Sequence, residues 1–323
     1  MRLRKLGKSK ILVTPIGLGC WQFSGGKSMV GRYWGNLEQE TINQIVKASL
    51  ENGVNWFDTA EAYGFGQSEL ALAAGLRAAR VKPEKALIAT KWMPFGRLAS
   101  SIVNTIDTRL KKLDPYPISL LQIHNPASFS SVEKQMKAMA TLLRAGKIKA
   151  AGVSNFDLKQ MQRATDALKA EGFELASNQM RFNLLDRRIE QNGVLDFAKE
   201  KGITIIAYSP LDQGILTGRF HEHPELVKSL SGYRRFMPAF QPGNIHKSQP
   251  LMDELKSIAE KYQVSPAQVA LNWVIHFHGD TVVAIPGASS PQQAQQNAGV
   301  MKFTLSKAEL TRLDWVSWEV INH

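Results

Sequence analysis

The chain has 323 residues, 44 % of them hydrophobic and 21 % charged. That balance supports a large buried core and excludes an intrinsically disordered chain. The net charge of +12 comes from dispersed bases such as Lys134, Lys137, Arg144, Lys147 and Lys149. With no aromatic-interleaved RNA motif and no basic recognition helix, they predict no nucleic-acid partner, though they favour an anionic small molecule.

A small hairpin is predicted first, over residues 2–6 and 10–13 with a turn at Gly7-Lys8-Ser9. Residues 16–21 follow as the first main strand. Pro15, Gly17 and Gly19 interrupt this apolar run, which argues for a buried strand rather than a signal peptide. A helix over 38–52 stops at Gly53. Strand two ends at Phe57-Asp58, and the helix over 68–80 takes Ser68 as its expected cap. Strand three covers 86–90, with a helix over 99–113 that stops before Pro115. Strand four covers 118–123. Ser130-Ser131-Val132-Glu133 reads as a capping box for the helix running towards Gly146. Strand five covers 150–153, and its helix starts after Asp157. Strand six covers 175–179, followed by a helix ending near Gly202, and strand seven covers 203–208. Ser265-Pro266 opens a helix to about His278, a cap followed by proline at the first helical position. Strand eight covers 282–285, and Ser306 to Glu309 caps a last amphipathic helix.

Eight strand–helix units predict an α/β fold, a closed (β/α)8 TIM barrel, with residues 1–323 as one domain. Residues 211–250 break the rhythm. A stretch that long is functional, partly helical, or both. Cys20 is the only cysteine, so no intramolecular disulfide is expected and a reducing, cytoplasmic location is. No run of about 18 apolar residues exists, so no membrane insertion is expected.

Asp58, Lys91 and His124 sit at equal intervals, each after a short apolar run, and Tyr63 lies just beyond Asp58. The interval is about one strand–helix unit, roughly 30 residues. Residues at the ends of successive parallel strands meet on one rim of a barrel, so the four are predicted to converge. Tyrosine alone is a poor acid at neutral pH. A neighbouring ammonium favours the phenolate, and a carboxylate keeps a buried lysine protonated. Asp58, Lys91 and Tyr63 therefore make a proton donor, while His124 can hydrogen-bond a carbonyl oxygen. The set lacks a nucleophile, which hydride from a cofactor would explain. Lys91 would repel a metal ion at that point, so no metal is expected.

Residues 53–64, Gly-Val-Asn-Trp-Phe-Asp-Thr-Ala-Glu-Ala-Tyr-Gly, resemble the signature of the aldo-keto reductases. Ala89-Thr90-Lys91, Gln122-Ile123-His124, residues 145–156, residues 206–211 and Ile285-Pro286-Gly287-Ala288 resemble that family's later motifs, in the same order. The pattern is closest to bacterial reductases related to potassium-channel β-subunits.

The resemblance implies NAD(P)H-dependent reduction of aldehydes or ketones, with Tyr63 as proton donor and Asp58, Lys91 and His124 as its support. The implied cofactor is NADPH, with NADH possible. Ser154, Asn155 and Gln179 match positions that hold the nicotinamide carboxamide, and Tyr208 matches the aromatic stacked on its ring. Leu211, Gly214 and Arg219 belong to the matching pyrophosphate loop, and Trp21, Asp58 and Ser209 complete that part of the site. Gly287, Ser289, Gln293, Gln296 and Asn297 match the adenosine end. No lysine or arginine lies from Gly287 to Asn297, so Arg234 or Arg235 is expected to supply the 2′-phosphate contact. There is no Gly-x-Gly-x-x-Gly fingerprint of a Rossmann half-domain. Trp21, Trp92, Phe95 and Asn125 follow strands one, three and four and are expected to rim the site of a small carbonyl or sugar-like substrate. The loops over 23–36 and 221–250 are expected to set specificity. The rival reading is a regulatory β-subunit-like protein that binds a membrane partner and keeps vestigial reductase activity.

Overall fold

The computed structural model describes residues 2–26, 35–230 and 234–322. The hairpin forms from β1 (Arg4–Lys5) and β2 (Leu12–Val13), paired antiparallel. Strand and helix then alternate. The first half holds β3 (Leu18–Gly19), α1 (Gln39–Glu51), β4 (Trp56–Asp58), α2 (Gln67–Ala78), β5 (Leu87–Trp92), α3 (Ser100–Asn104), α4 (Ile106–Leu113), β6 (Ile118–Ile123) and α5 (Val132–Arg144). The second half begins with β7 (Ile148–Ser154), α6 (Leu158–Ala170), β8 (Leu175–Arg181), α7 (Arg188–Gln191), α8 (Val194–Lys201) and β9 (Thr204–Tyr208). After β9 come α9 (Arg219–Glu222), α10 (Pro242–Lys247), α11 (Gln249–Tyr262), α12 (Pro266–His276), β10 (Val282–Ala284), α13 (Pro291–Gly299) and α14 (Lys307–Asn322).

Strands β3 to β10 form one parallel sheet in sequential order. Parallel bridges Ile16–Ala284 and Gly19–Gly287 join its two edges. The amides of Gly17 and Gly19 donate to the carbonyls of Ala284 and Pro286 at 2.8 and 3.1 Å. The sheet thus closes into the expected (β/α)8 barrel.

Helix α5 buries one face against the outside of this sheet. That face is Val132, Met136, Met139, Ala140 and Leu142, at three- and four-residue spacing. Each large apolar side chain so buried contributes about 1.5–3 kcal/mol.

Inside the barrel, alternate residues of each strand point inward. Trp56, Ala89, Leu120, Ala150, Ile206 and Val283 form an apolar plug, packed with Leu6 and Val13 of the hairpin. Two residues further along β4, β5, β6 and β9 the inward positions are Asp58, Lys91, Gln122 and Tyr208. The plug therefore floors a polar layer at the carboxyl ends of the strands.

Three local expectations need correction. Gly66, in a left-handed conformation, precedes α2 where Ser68 was the expected cap. Ser68 is buried, and its hydroxyl donates to the Cys20 carbonyl at 2.7 Å beside the Thr59 hydroxyl. The cap of α5 is Ser131, one residue later than the capping box implied, because the Ser130 hydroxyl accepts from the Ala99 amide at 2.9 Å. The helix over 99–113 divides at Thr105, which leaves helical geometry. Its hydroxyl donates to the Ser101 carbonyl at 2.6 Å and accepts from Arg97 at 2.9 Å. The stretch over 211–250 is partly helical and closes on a small core of its own, Ile215, Phe220, Phe240 and Ile245.

Candidate active site

The polar layer centres on a buried ion pair. Lys91 Nζ binds Asp58 Oδ1, donates to the Thr59 carbonyl at 3.0 Å and reaches the Tyr63 hydroxyl at 3.3 Å. The side chains of Lys91 and Asp58 are 0 % and 1 % exposed. Charges removed from water this completely are tolerated only when their remaining protons and lone pairs are satisfied. The second Asp58 oxygen accepts from Gln179 Nε2 at 2.8 Å and from Gln122 Nε2 at 3.3 Å. Ser177 donates in turn to Gln122 Oε1 at 3.4 Å. Gly152 makes room for this chain, since a Cβ there would lie 2.3 Å from the Ser177 hydroxyl.

Burial raises the pKa of Tyr63 above its ordinary value, although the Lys91 ammonium pulls it down. The ammonium alone would lower it, as expected from the sequence, but burial outweighs the ammonium. Burial also pulls on Lys91, but Asp58 and the Tyr63 oxygen more than offset it, so the ammonium is held above the usual lysine value. Burial, helped by Lys91, drives His124 down to about 3. The imidazole is therefore neutral at physiological pH. It meets the Tyr63 ring edge-on, with centroids 5.7 Å apart. Its Nδ1 is buried with no hydrogen-bond partner among the described residues.

A second polar group lies at the ends of β7, β8 and β9. Ser154 donates to the Gln179 carbonyl at 3.0 Å. Asn155, held at φ 59°, donates to the Ser154 hydroxyl at 3.1 Å and to the His124 carbonyl at 3.3 Å.

Both groups open into one cavity of about 960 Å³. Asp58, Tyr63, His124, Ser154, Asn155, Gln179 and Tyr208 line it, with Trp21 and Asn125. Ser209, Leu211, Gly214 and Arg219 line it from the segment after β9, and Gly287, Ser289, Gln293, Gln296 and Asn297 from α13 and the loop before it. Lys91 sits behind Tyr63 rather than on the wall. At the α13 start, the amide and hydroxyl of Ser289 donate to Gln293 Oε1 at 2.8 and 3.0 Å, and Asn297 donates to the Gly287 carbonyl at 3.1 Å.

Three expected contacts do not reach the cavity. Trp92 is fully buried on the outer side of β5 and donates to the Ser101 hydroxyl at 3.1 Å. It follows the inward-facing Lys91 by one residue, and strand alternation turns it to the helices. Phe95 is 75 % exposed and lies off the cavity wall. Arg235 is also off the wall, its guanidinium stacked 4.7 Å over the Phe236 ring. The side chain of Arg234, and residues 27–34 of the expected specificity loop, lie outside the described residues.

The sequence reading missed Gln122, Met93, Gln22 and Leu37. Gln122 is the next inward position of β6 after Leu120, two residues before His124 at the strand's end, so alternation alone finds it. Met93 and Leu37 line the cavity from loops and Gln22 from a single 3-10 turn over Trp21–Ser24, where no periodicity marks them.

The Aldo/keto reductase family model matches residues 15–317. An uncharacterised oxidoreductase of Mycobacterium tuberculosis is 36 % identical over 297 residues, covering 91 % of this chain and 86 % of its own length. An aldo-keto reductase of Schizosaccharomyces pombe, whose name carries NADP(+), is 26 % identical over 96 % of this chain and 89 % of its own. The structure of a glycerol dehydrogenase from Gluconobacter oxydans superimposes with a TM-score of 0.84 at 28 % identity, covering 99 % of this chain and 96 % of that one.

Proposed function

The chain belongs to the aldo/keto reductase family, and from that premise we propose that it reduces aldehydes or ketones to alcohols, with a nicotinamide dinucleotide as hydride donor and Tyr63 as proton donor. The observation that carries this reading is the position of Lys91 Nζ, 3.3 Å from the Tyr63 hydroxyl and locked to Asp58.

The donor set of the cavity suits a dinucleotide. Ser154, Asn155 and Gln179 present the short polar groups that orient a carboxamide, and Tyr208 offers a ring face. Arg219 and the backbone of 211–218 suit a pyrophosphate. Ser289, Gln293, Gln296 and Asn297 suit the adenosine end. The reduced nicotinamide supplies the hydride when bound. NADPH is the favoured donor, in keeping with the NADP(+) in the name of the fission-yeast relative. The α13 amides and Ser289 would then carry the 2′-phosphate, and NADH is the alternative donor.

The chain's own residues deal with the proton. A carbonyl oxygen that gains negative charge beside Tyr63 takes the phenolic proton. The phenolate left behind is stabilised by Lys91, and Asp58 keeps Lys91 charged while it does so. His124, neutral at about pH 7, can donate a hydrogen bond to the same oxygen without adding a second positive charge beside Lys91. The resulting alcohol is a small product, and the glycerol dehydrogenase fold neighbour makes polyol-related carbonyls reasonable members of the substrate class.

The test is steady-state turnover of simple aldehydes and ketones with NADPH and with NADH. Carbonyl-dependent oxidation of either dinucleotide is the expected result. Tight dinucleotide binding with no turnover of any carbonyl would instead favour a regulatory binding protein.

A further inference from the structure

Arg181 ends β8 and lies in register with Tyr208 of β9. Its Nη2 pairs with Asp212 Oδ1, and its Nε lies 3.4 Å from Asp186 Oδ2. Asp186 is also held by Arg188, at 2.8 and 2.9 Å. The four charges balance, and Asp212, only 5 % exposed, depends on Arg181 for its counter-charge.

Asp212 belongs to the segment that leaves β9 along the cavity. Ser209, Asp212 and Gln213 there have φ of 48°, 45° and 57°. Residues other than glycine enter this region only where the surroundings hold them. Leu211, Gln213, Gly214 and Thr217 face the large cavity, whereas Asp212 and Ile215 line a second cavity of about 400 Å³. The segment is thus a wall between two cavities. The Arg181–Asp212 pair, and Asn183 Nδ2 donating to the Ser209 carbonyl at 2.9 Å, tether it to β8 and the turn beyond.

We propose that Arg181 is a positioning residue for the dinucleotide. Through Asp212 it holds this wall in its strained conformation and cancels a carboxylate that would otherwise stand unpaired in the wall behind a bound anion. The assignment rests on the reading of the large cavity as a dinucleotide site. It requires no contact between Arg181, which is off the cavity wall, and the ligand.

The test is fluorescence titration of the full chain with NADPH, together with kcat at saturating dinucleotide. It compares the wild type with Arg181→Met, Arg181→Lys, Asp212→Asn and the double variant Arg181→Met, Asp212→Asn. Arg181→Met should raise the Kd at least tenfold, because it removes the tether and exposes the charge. Asp212→Asn should raise it about threefold, because it removes only the tether. The double variant should match Asp212→Asn rather than the product of the two single losses. Arg181→Lys should recover part of the affinity, and kcat at saturation should stay within about twofold throughout. A general structural role would lower kcat and make the two losses add. An unchanged Kd in Arg181→Met, or additive losses, would overturn the proposal. If Arg181→Met does not fold, an unchanged Kd in Asp212→Asn overturns it equally. A wild type that binds neither NADPH nor NADH would overturn the dinucleotide reading itself, and this assignment with it.

Discussion

The Tyr208 hydroxyl donates a hydrogen bond to Asn155 Oδ1 at 2.9 Å, from the end of β9 to the turn after β7. The bond fixes the tilt of the Tyr208 ring and, with the Ser154 and His124 contacts, the orientation of the Asn155 amide. The face that would stack on a nicotinamide and the group that would hold its carboxamide are thus one unit.

Replacing that ring should separate the two halves of the dinucleotide. Tyr208→Ala should weaken NADPH about threefold to tenfold, the range expected for a lost ring contact, with little change for an adenosine diphosphate fragment. Tyr208→Phe keeps the face and frees only Asn155, so its loss should be smaller. Equal losses for both ligands in a titration would make Tyr208 a residue of the fold alone.

Lys91→Met should slow carbonyl reduction strongly and alter its pH dependence. Burial already raises Tyr63, and the Lys91 charge is the group that pulls it down. Without that charge the phenol becomes a weaker acid and its pKa rises further. Reduction needs the protonated phenol, so the alkaline fall in rate should move to higher pH while the plateau drops. His124, already neutral above about pH 3, should add no titration between pH 5 and 9. A pH–rate profile in Lys91→Met that overlies the wild type would remove Lys91 from proton donation.

Arg219 and Arg235 should differ in their effects on cofactor binding. Arg219 lines the cavity, and Arg235 stacks on Phe236 away from it. A charge-assisted phosphate contact contributes roughly 1.5–3 kcal/mol. Arg219→Ala should therefore weaken NADPH and NADH alike by at least about tenfold. Arg235→Ala should leave both within about twofold. Selective loss of NADPH in Arg235→Ala would restore it as the 2′-phosphate contact.

What could be read from the sequence was what repeats. The barrel was legible because its interior follows a period of two. Trp56 and Asp58, Ala89 and Lys91, Leu120 and Gln122 each pair a plug residue with a site residue two positions on. The same period places Trp92 outside and Gln122 inside; Trp92 was expected beyond the end of a strand over 86–90, but β5 runs on to include it. Phe95 and Arg235 could not be placed, since they lie in segments with no period, where the direction of a side chain depends on distant partners. The sign of the Tyr63 shift was hidden for a related reason. Proximity of Lys91 follows from spacing, but the depth of burial that outweighs it does not.

The end of the fold offers a stability test with a defined pH window. Glu309 accepts from the Ser306 amide and hydroxyl at 2.7 Å and pairs with Lys261 at 2.6 Å, while Ser306 accepts from the Glu309 amide, capping α14. Burial raises the Glu309 carboxyl, but Lys261, Tyr262 and Ser306 more than offset it and hold it at about 2. A depressed carboxylate stabilises the fold above its unfolded pKa of about 4.3 and loses that contribution as pH falls through the folded value. Ser306→Ala should cost about 1 kcal/mol at neutral pH. Glu309→Gln should lower the Tm at pH 7, and its gap from the wild type should narrow between about pH 4 and pH 2. A gap that does not change with pH would contradict the ion-pair account.

The most direct measurement of the central claim is single-turnover reduction by Tyr63→Phe with dinucleotide bound. The substitution removes the phenolic proton and leaves the ring beside Trp21 and His124. The account predicts dinucleotide affinity within about threefold of the wild type and a hydride-transfer rate reduced at least about a hundredfold, the usual scale of general acid catalysis. A near-normal rate with the dinucleotide tightly bound would contradict Tyr63 as the proton donor.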